Sequence, residues 1–288
     1  MKVLVTGFNG QLGFDVVKEL ESRNIVCKGV DLDDFDITDK EQTLAYLRDY
    51  KPDVVVHCAA YTAVDKAEDD EQTCRRVNVD GSENIAIACR ELGAKMLYVS
   101  TDYVYGGLGV DAFEITDETD PKSVYGRTKL EGEKAVIRNV DKYFIVRTSW
   151  VFGINGNNFV KTMLRLGAER DALSVVDDQI GSPTYTPDLA RLICELIKTD
   201  AYGIYHGTNE GYCSWAEFAA MIMKLGGRKA VIKPIPSSEY PARAQRPLNS
   251  RLSKACLDKA GIKRLPTWQN ALERYFEELK AQSEKEKN

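Results

Sequence analysis

The feature that most constrains this chain is a short valine-rich segment followed at once by regularly spaced glycines. The segment spans residues 1–6, and the glycines that follow it are Gly7, Gly10 and Gly13. A helical pattern then runs to Leu20. Strand, tight glycine turn and helix in this order let backbone approach a pyrophosphate, which the N-terminus of the helix attracts through its free N–H groups and its dipole. The spacing is G-x-x-G-x-x-G, and its position between a strand and a helix predicts a nucleotide-binding βαβ unit.

A second apolar run, residues 25–30, ends at Asp31. This acidic residue lies about twenty residues beyond the glycines, where a carboxylate can bond the ribose hydroxyls of a dinucleotide and would repel a 2′-phosphate. Asp31 thus favours NADH over NADPH. A strand-end turn in the acid-rich stretch 31–36 is the competing interpretation of Asp31 alone. The pattern as a whole predicts NADH or NADPH as the cofactor.

Short β-rich runs alternate with helical stretches through the first half of the chain. The predicted strands are 53–57, 95–100 and 143–147, and the predicted helices are 39–49, 71–91 and 123–138. This alternation predicts an α/β protein with a Rossmann-type doubly wound parallel sheet.

The second half has a looser pattern, interrupted by glycines and prolines. Its predicted helices are 158–168, 186–198, 214–225 and 268–280. We predict that residues 1–152 form a dinucleotide-binding domain and that residues of about 173–200 also belong to it. The reason is that the predicted helix at 186–198 is suited to pack on the sheet. Residues 153–288 then form mainly a smaller, interleaved α/β substrate-binding region, whose charged end, 277–288, is expected to fray into solvent.

Composition excludes several classes of function. The chain has 39 basic and 44 acidic residues, with the signs interspersed, so nucleic acid is not expected as a partner. No stretch is long and apolar enough for a signal peptide or a membrane span, so we expect a cytoplasmic protein without a membrane partner. The seven cysteines form no C-x-x-C pair and the two histidines show no zinc-ligand spacing. No metal is expected.

Tyr125 and Lys129 lie four residues apart on the predicted helix 123–138. Residues at this spacing share one helix face, so the Lys129 ammonium can favour ionisation of the Tyr125 phenol and lower its pKa. Thr101 follows the strand at 95–100 and would meet them if that strand lies beside the helix. Thr101 could then bond a substrate carbonyl while Tyr125 protonates it as hydride arrives. An exposed pair on a solvated helix, with a turn-capping threonine, is the alternative.

With these residues, the chain resembles the extended short-chain dehydrogenase/reductase family, and within it the reductases of keto-sugar nucleotides. The stretches that carry the resemblance are 60–68, 100–104, 125–132, 147–150, 156–165, 178–184 and 246–252. The resemblance implies reduction of dTDP-4-dehydro-β-L-rhamnose to dTDP-β-L-rhamnose by NADH or NADPH. The implied partner is a small nucleotide sugar, and the implied assembly is a monomer or a homodimer.

The same resemblance implies roles for individual residues. It places the cofactor on the glycine loop with Gln11 and Leu12, and further along the chain on Asp31, Asp36, Ile37, Ala60, Tyr61 and Thr62. It makes Tyr125 the proton donor and Lys129 its partner. On the substrate side it implies Thr101, Asp102, Tyr103, Trp150, Asn158 and Arg246.

Two departures from the family pattern affect these expectations. Related sequences often have Ala-Arg-Arg-Pro where this chain has Gln245 before Arg246, so Arg243 is the candidate to replace the missing guanidinium. Some members of the family carry a glutamate that helps bind a metal at a dimer interface. This chain has Asp15 at the corresponding position. We therefore predict no metal-linked dimer.

Two other functions are compatible with the nucleotide loop. A sugar-nucleotide dehydratase or epimerase uses a similar triad, but dehydratases usually have Asp-Glu after the threonine, and this chain has Asp102 followed by Tyr103. A non-catalytic nucleotide-binding subunit, such as the regulatory partner of methionine adenosyltransferase, shares the predicted fold.

Overall fold

A computed structural model describes residues 1–285; residues 286–288, the end of the predicted substrate region, lie outside the described part. The strands, in chain order, are β1 (Lys2–Thr6), β2 (Val26–Val30), β3 (Val54–His57), β4 (Lys95–Thr101), β5 (Tyr143–Thr148), β6 (Val151–Phe152), β7 (Ala172–Val176), β8 (Ile180–Gly181), β9 (Thr184–Tyr185), β10 (Gly203–His206), β11 (Cys213–Ser214), β12 (Val231–Ile235) and β13 (Asn249–Ser250). The α-helices are α1 (Gln11–Ser22), α2 (Lys40–Tyr50), α3 (Val64–Ala67), α4 (Glu71–Arg75), α5 (Ser82–Leu92), α6 (Val124–Asn139), α7 (Phe159–Glu169), α8 (Thr186–Leu196), α9 (Trp215–Leu225), α10 (Ala255–Lys259) and α11 (Trp268–Lys285).

Six strands form one parallel sheet in the order β10-β5-β4-β3-β1-β2. The chain passes from β1 to β2 on one side and then crosses to β3 on the other. A crevice therefore opens at the carboxyl ends of β1 and β3, where sheets of this kind bind ligands. The fold class predicted from the sequence is confirmed.

Alternate residues of the strands face opposite sides of the sheet, because side chains along a strand alternate in direction. Val54 and Val56 of β3 belong to an apolar cluster shared with α1 and α8, whereas Val55 belongs to a cluster with α2, α5 and α6. Helices thus cover both faces, which explains why β3 is buried along its whole length.

A third apolar cluster forms the core of the smaller region. It joins side chains of β6, β7 and β9 to helices α7, α9 and α11. Helix α8 follows β9 in the chain but packs on the central sheet beside α1. We therefore still propose that the two regions are interleaved in the sequence. The chain returns to the central sheet at α8 and not already at residue 173, because β7 pairs with β12 outside that sheet.

Several elements differ from the sequence-based prediction, among them the short strands and helices that it did not include. The helix predicted at 71–91 is interrupted by a π-helical turn, Arg76–Gly81. The sixth sheet strand, β10, was not predicted. The segment predicted to fray from 277 is helical through Lys285, and Glu278 in it accepts a hydrogen bond from Lys18 at 2.8 Å.

Candidate active site

The glycine loop between β1 and α1 leaves no room for side chains. A Cβ atom at Gly7 would lie 2.7 Å from the backbone nitrogen of Ala59, and one at Gly13 would lie 2.7 Å from the carbonyl carbon of Gly7. Gly7 also has a φ of +70°, which glycine adopts without strain. Helix α1 begins after Gly10 without a side-chain cap, so its first N–H groups are available to a ligand. These features fit a dinucleotide pyrophosphate.

Gln11 and Asn158 line the same cavity, but their side chains also bond each other. Gln11 Oε1 accepts hydrogen bonds from Asn158 Nδ2 and from the Gly153 N–H, both at 3.0 Å. Asn158 also caps helix α7 by accepting the N–H of Lys161. The two side chains therefore connect the glycine loop to the start of α7.

The end of β2 supplies the acidic side of the cavity. Asp31 Oδ2 accepts the N–H of Asn9 at 2.9 Å, and Asp31 Oδ1 accepts the N–H of Leu32 at 2.9 Å. Asp36 and Ile37 line the cavity beside Asp31. One carboxylate thus both orders the glycine loop and places negative charge in the cavity wall.

The loop after β3 places Ala60 and Thr62 in the cavity wall but not Tyr61. The N–H of Tyr61 donates to Asn78 Oδ1 at 2.8 Å, and its ring packs in an apolar cluster with Cys74. The role of Tyr61 in binding the cofactor therefore stays a prediction.

The cavity is lined by all three predicted catalytic residues, Thr101, Tyr125 and Lys129. Thr101 is the last residue of β4, and the other two lie in the N-terminal part of α6. Ser123 caps α6 by accepting the N–H of Gly126 at 3.1 Å. A Cβ at Gly126 would lie 3.1 Å from the Tyr103 carbonyl carbon, so only glycine lets this helix approach the strand end so closely.

Burial raises the pKa of the Tyr125 phenol above its ordinary value; a hydrogen bond with Thr101 opposes the shift and the nearby Asp102 adds to it. The expectation that Lys129 lowers this pKa was wrong, because burial dominates. The Lys129 ammonium donates instead to the Val99 carbonyl at 2.7 Å. Burial lowers the pKa of Lys129 to about 7. Tyr125 consequently keeps its proton at neutral pH.

Asp102 and Tyr103 follow Thr101 in a 3-10 turn, Asp102–Val104. Asp102 Oδ1 accepts the Thr101 hydroxyl at 2.9 Å, and burial raises the pKa of Asp102 to about 6. Within the described residues, Asp102 Oδ2 is buried without a hydrogen-bond partner. The ring of Tyr103 packs edge-on against Tyr125, with centroids 5.5 Å apart. This turn therefore offers one free carboxylate oxygen beside the phenol.

Trp150 lines the cavity with backbone in the left-handed region, at φ +49°. A bulky residue adopts this conformation only where the surrounding structure enforces it. Trp215 stacks on Trp150 with centroids 3.8 Å apart, so one face of the Trp150 ring is already covered. Gly181 makes room for the ring, since a Cβ there would lie 2.8 Å from Trp150 Cε2. Sequence reasoning missed Trp215, which carries no local signal of this contact.

Arg246 is not among the residues that line the main cavity. It lies in a small crevice beside Tyr103, and its Nη2 donates to Asp65 Oδ2 at 2.5 Å. Arg243 forms an ion pair with Asp69 and is exposed. Both arginines of this segment therefore bond carboxylates in or just after α3, and the substrate contact implied for Arg246 stays a prediction.

The cavity that contains these residues has a volume of about 810 Å³. Its lining also includes residues that sequence reasoning did not select: Thr6, Cys58, Thr148, Ser149 and Asn157. Thr148 is the β5 partner of Thr101, and in residues 1–285 its hydroxyl is buried without a hydrogen-bond partner. Its place at the carboxyl end of a parallel strand was the available signal.

Residues 1–285 contain no cluster of three or more His, Cys, Asp or Glu side chains that could hold a metal ion. Within the same range, no helix has the length and apolarity needed to span a bilayer.

A parallel sheet with a glycine loop at its switch point and a Tyr-Lys pair in the same cavity defines an oxidoreductase of the short-chain dehydrogenase/reductase class. Comparison with known proteins identifies the family within this class. The chain belongs to the dTDP-4-dehydrorhamnose reductase family, since the family model described as the RmlD substrate binding domain matches residues 1–281.

Similar proteins cover nearly the whole chain. The dTDP-4-dehydrorhamnose reductase of Aggregatibacter actinomycetemcomitans is 39% identical over 94% of this chain and 97% of its own length. The crystal structure of such a reductase from Clostridium acetobutylicum is 41% identical with a TM-score of 0.95, covering 97% of this chain and 100% of that one. One from Bacillus anthracis, solved in complex with NADP, is 43% identical with a TM-score of 0.94, covering 96% and 100%. The predicted family and cofactor class are confirmed.

Proposed function

We propose that the protein reduces the 4-keto group of dTDP-4-dehydro-β-L-rhamnose, giving dTDP-β-L-rhamnose, with Tyr125 as the proton donor. The observation that carries the proposal is that the glycine loop, Thr101 and Tyr125 line one cavity. The named activity of relatives that match nearly the whole chain supports the choice of substrate.

Bound NADH or NADPH supplies the hydride. The residues for its pyrophosphate are the glycine loop with Leu12 and the backbone of Gln11, and those for its adenosine half are Asp31, Asp36 and Ile37. Ala60 and Thr62 form the wall nearer the sheet centre. The uncapped N-terminus of α1 stabilises the negative charge of the pyrophosphate.

The keto oxygen is protonated by side chains at the carboxyl end of β4 and in the N-terminal part of α6. Tyr125 gives its phenolic proton to the 4-keto oxygen as that oxygen gains negative charge. Thr101 donates its hydroxyl hydrogen to the same oxygen, which requires it to leave Asp102. The Lys129 ammonium stabilises the phenolate left on Tyr125 and bonds a ribose hydroxyl.

The sugar lies against Asp102, Thr148 and Trp150 in this proposal. Asp102 Oδ2 and the Thr148 hydroxyl are buried and, in the described part of the chain, unpartnered, so a sugar hydroxyl would satisfy either of them. Trp150 offers the side of its ring that Trp215 does not cover.

The decisive test is turnover by Tyr125→Phe. NADH absorbance should fall when the dTDP-4-keto sugar is added to the wild-type protein, and the variant should lose about 10²–10⁴-fold in kcat because the proton donor is gone. NADH affinity, measured by fluorescence titration, should stay unchanged. Tyr143→Phe, at the far end of β5, is the matched control and should retain full turnover.

Other outcomes would identify other functions. Interconversion of sugar epimers without net loss of NADH absorbance would indicate an epimerase. Cofactor binding without turnover of the wild-type protein would indicate a regulatory subunit. Full activity of Tyr125→Phe would refute the proposed proton donor.

A further inference from the structure

Helix α6 carries a third buried polar side chain in register with the Tyr-Lys pair. Tyr125, Lys129 and Glu133 are spaced four residues apart, so they lie along one face of the helix. Lys129 and Glu133 are only 2% and 1% exposed, although charged residues are rarely buried without a specific partner. The proposed mechanism uses the first two side chains and leaves Glu133 without a role.

Two of the three side chains bond successive residues at the end of β4. Lys129 donates to the Val99 carbonyl at 2.7 Å, and the Ser100 hydroxyl donates to Glu133 Oε1 at 2.5 Å. The third side chain, Tyr125, lines the cavity together with Thr101, the next residue of the strand. A shift of α6 along the strand would break both hydrogen bonds together and would move the phenol with them.

Glu133 also bonds the next strand. Arg147 of β5 donates to Glu133 through Nε at 2.9 Å and Nη2 at 2.7 Å, in a bidentate pair that is almost wholly buried. Arg147 is the β5 register partner of Ser100. A single carboxylate thus spans two adjacent strands at one register position.

The network continues to the sheet edge. Arg147 Nη1 donates to the Tyr105 hydroxyl at 2.7 Å, and Tyr105 lies 2.7 Å from His206 Nε2. His206 Nδ1 faces the Ser253 carbonyl at 2.8 Å and must carry the proton, so Nε2 accepts from Tyr105. Burial lowers the pKa of His206 to about 3, which keeps the ring neutral.

We propose that Glu133 is a positioning residue for the proposed reduction: held by Arg147 and Ser100, it fixes α6 on β4 and β5 so that the Tyr125 phenol stays against Thr101. A misplacement of about 1 Å at a reacting group can lower the rate about 10²-fold, so a precise anchor next to the acid has a direct consequence for kcat. The inference rests on the proposed function.

Glu133 also affects the charge of Lys129. The titratable groups around Lys129 are Glu133 on its own helix, His57 and Cys58 at the end of β3, Cys74 on α4, and Tyr98 and Tyr125. Burial lowers the pKa of His57 to about 3 and raises that of Cys58 to about 12, so both are neutral at pH 7. The negative charge of Glu133 raises the pKa of Lys129 against the effect of burial.

The first test is Glu133→Gln. We expect kcat to fall about 10²-fold, with unchanged NADH affinity and unchanged KM for the sugar nucleotide. The alkaline limb of the kcat profile should move to lower pH, because Lys129 loses the neighbouring negative charge. Asp188→Asn is the matched control: Asp188 of α8 is fully buried and accepts two hydrogen bonds from Arg274 of α11, and neither residue lines the cavity, so its loss should lower stability without altering kcat or the pH profile.

Loss of one partner leaves Arg147 buried and uncompensated, which can prevent folding. The double variant Glu133→Leu/Arg147→Met avoids this, since an apolar pair often replaces a buried ion pair without loss of stability. We expect it to fold with the wild-type melting temperature and to keep the low kcat. Wild-type kcat in the folded double variant would overturn the inference, as would an equal fall in kcat in Asp188→Asn. Activity in Tyr125→Phe would instead refute the proposed function.

Discussion

Burial moves the pKa values of Tyr125 and Lys129 in opposite directions, up for the phenol and down to about 7 for the ammonium. Both shifts favour the neutral form, because charge is poorly solvated inside the protein. The four-residue spacing in the sequence predicts that the two side chains share a helix face. It does not reveal how deeply they are buried, and that depth decides the sign of the shift at Tyr125.

The lowered pKa of Lys129 makes stability depend on pH. The folded chain releases this proton near pH 7, whereas the unfolded chain holds it to about 10.5, so stability should rise with pH between these values. Lys129→Met removes the titrating group and should flatten this part of the curve. Loss of the hydrogen bond to Val99 should also lower the free energy of unfolding by about 1 kcal/mol. Because this loss is the same at all pH values, the test is the slope of the free energy of unfolding against pH.

Chemical unfolding across this pH range measures that slope. Lys134→Met, an exposed position on the same helix, should leave the wild-type slope intact. A wild-type slope in Lys129→Met would show that Lys129 does not cause the pH dependence.

We propose that Asp31 favours NADH over NADPH. Its carboxylate lies in the cavity wall, and no basic residue occurs at positions 32–39 to pair with a 2′-phosphate. Asp31→Asn should raise kcat/KM for NADPH relative to NADH by about tenfold, since one like-charge repulsion is removed. Asp33→Asn, an exposed position not among the cavity-lining residues, makes the same charge change and should leave the ratio unaltered. An unaltered ratio in Asp31→Asn would argue against this role.

Periodicity in the sequence predicts long helices well and very short strands poorly. Helices α2, α6, α7 and α9 begin within a residue or so of their predicted starts, because their apolar stripes and capping residues are local signals. Strands β8, β9, β11 and β13 have two residues each, too few to show an alternating pattern. The π-helical turn before α5 has no periodic signal either, and its Asn78 holds the Tyr61 loop.

The contact between helix α1 and the strand before it depends on Gly13. An alanine Cβ there would meet the backbone of Gly7, which cannot move aside cheaply. Gly13→Ala should therefore lower the free energy of unfolding by about 1–3 kcal/mol and weaken NADH binding.

Gly167→Ala in α7 is the matched control. The added Cβ would lie 2.5 Å from Met223 Sδ, a flexible side chain, and the helix gains up to about 1 kcal/mol in propensity. Thermal unfolding and an NADH titration compare the two variants. Equal effects would show that the backbone contact at Gly13 is unimportant.

At the scale of the whole molecule, one stacking contact joins the cavity wall to the smaller region. Trp150 follows β5 of the sheet, whereas Trp215 begins α9 and packs on Phe159 in the third apolar cluster. The core of the smaller region thereby supports the orientation of the Trp150 ring. An aromatic pair of this kind contributes about 1 kcal/mol beyond its buried area.

Trp215→Ala should raise KM for the sugar nucleotide about fivefold, the equivalent of that 1 kcal/mol, with little change in NADH affinity. Trp215→Phe should retain most of the affinity because it keeps an aromatic face. Trp268→Phe, buried in the same cluster against Phe218, serves as the control and should leave KM unchanged. An equal rise in KM in both Trp215→Ala and Trp268→Phe would indicate a general loss of packing instead.

The local features of the fold can be read from the amino-acid sequence alone: the strand, glycine turn and helix at the N-terminus, the alternation that yields a parallel sheet, and the spacing of Tyr125 and Lys129. These follow from steric rules and periods that act over a few residues. Four other features depend on the folded structure: the pKa of Tyr125, the bond between the Tyr61 backbone and Asn78, the pairing of Arg246 with Asp65, and the Glu133–Arg147 bridge. Burial and partners depend on residues far apart in the chain, which no local pattern encodes.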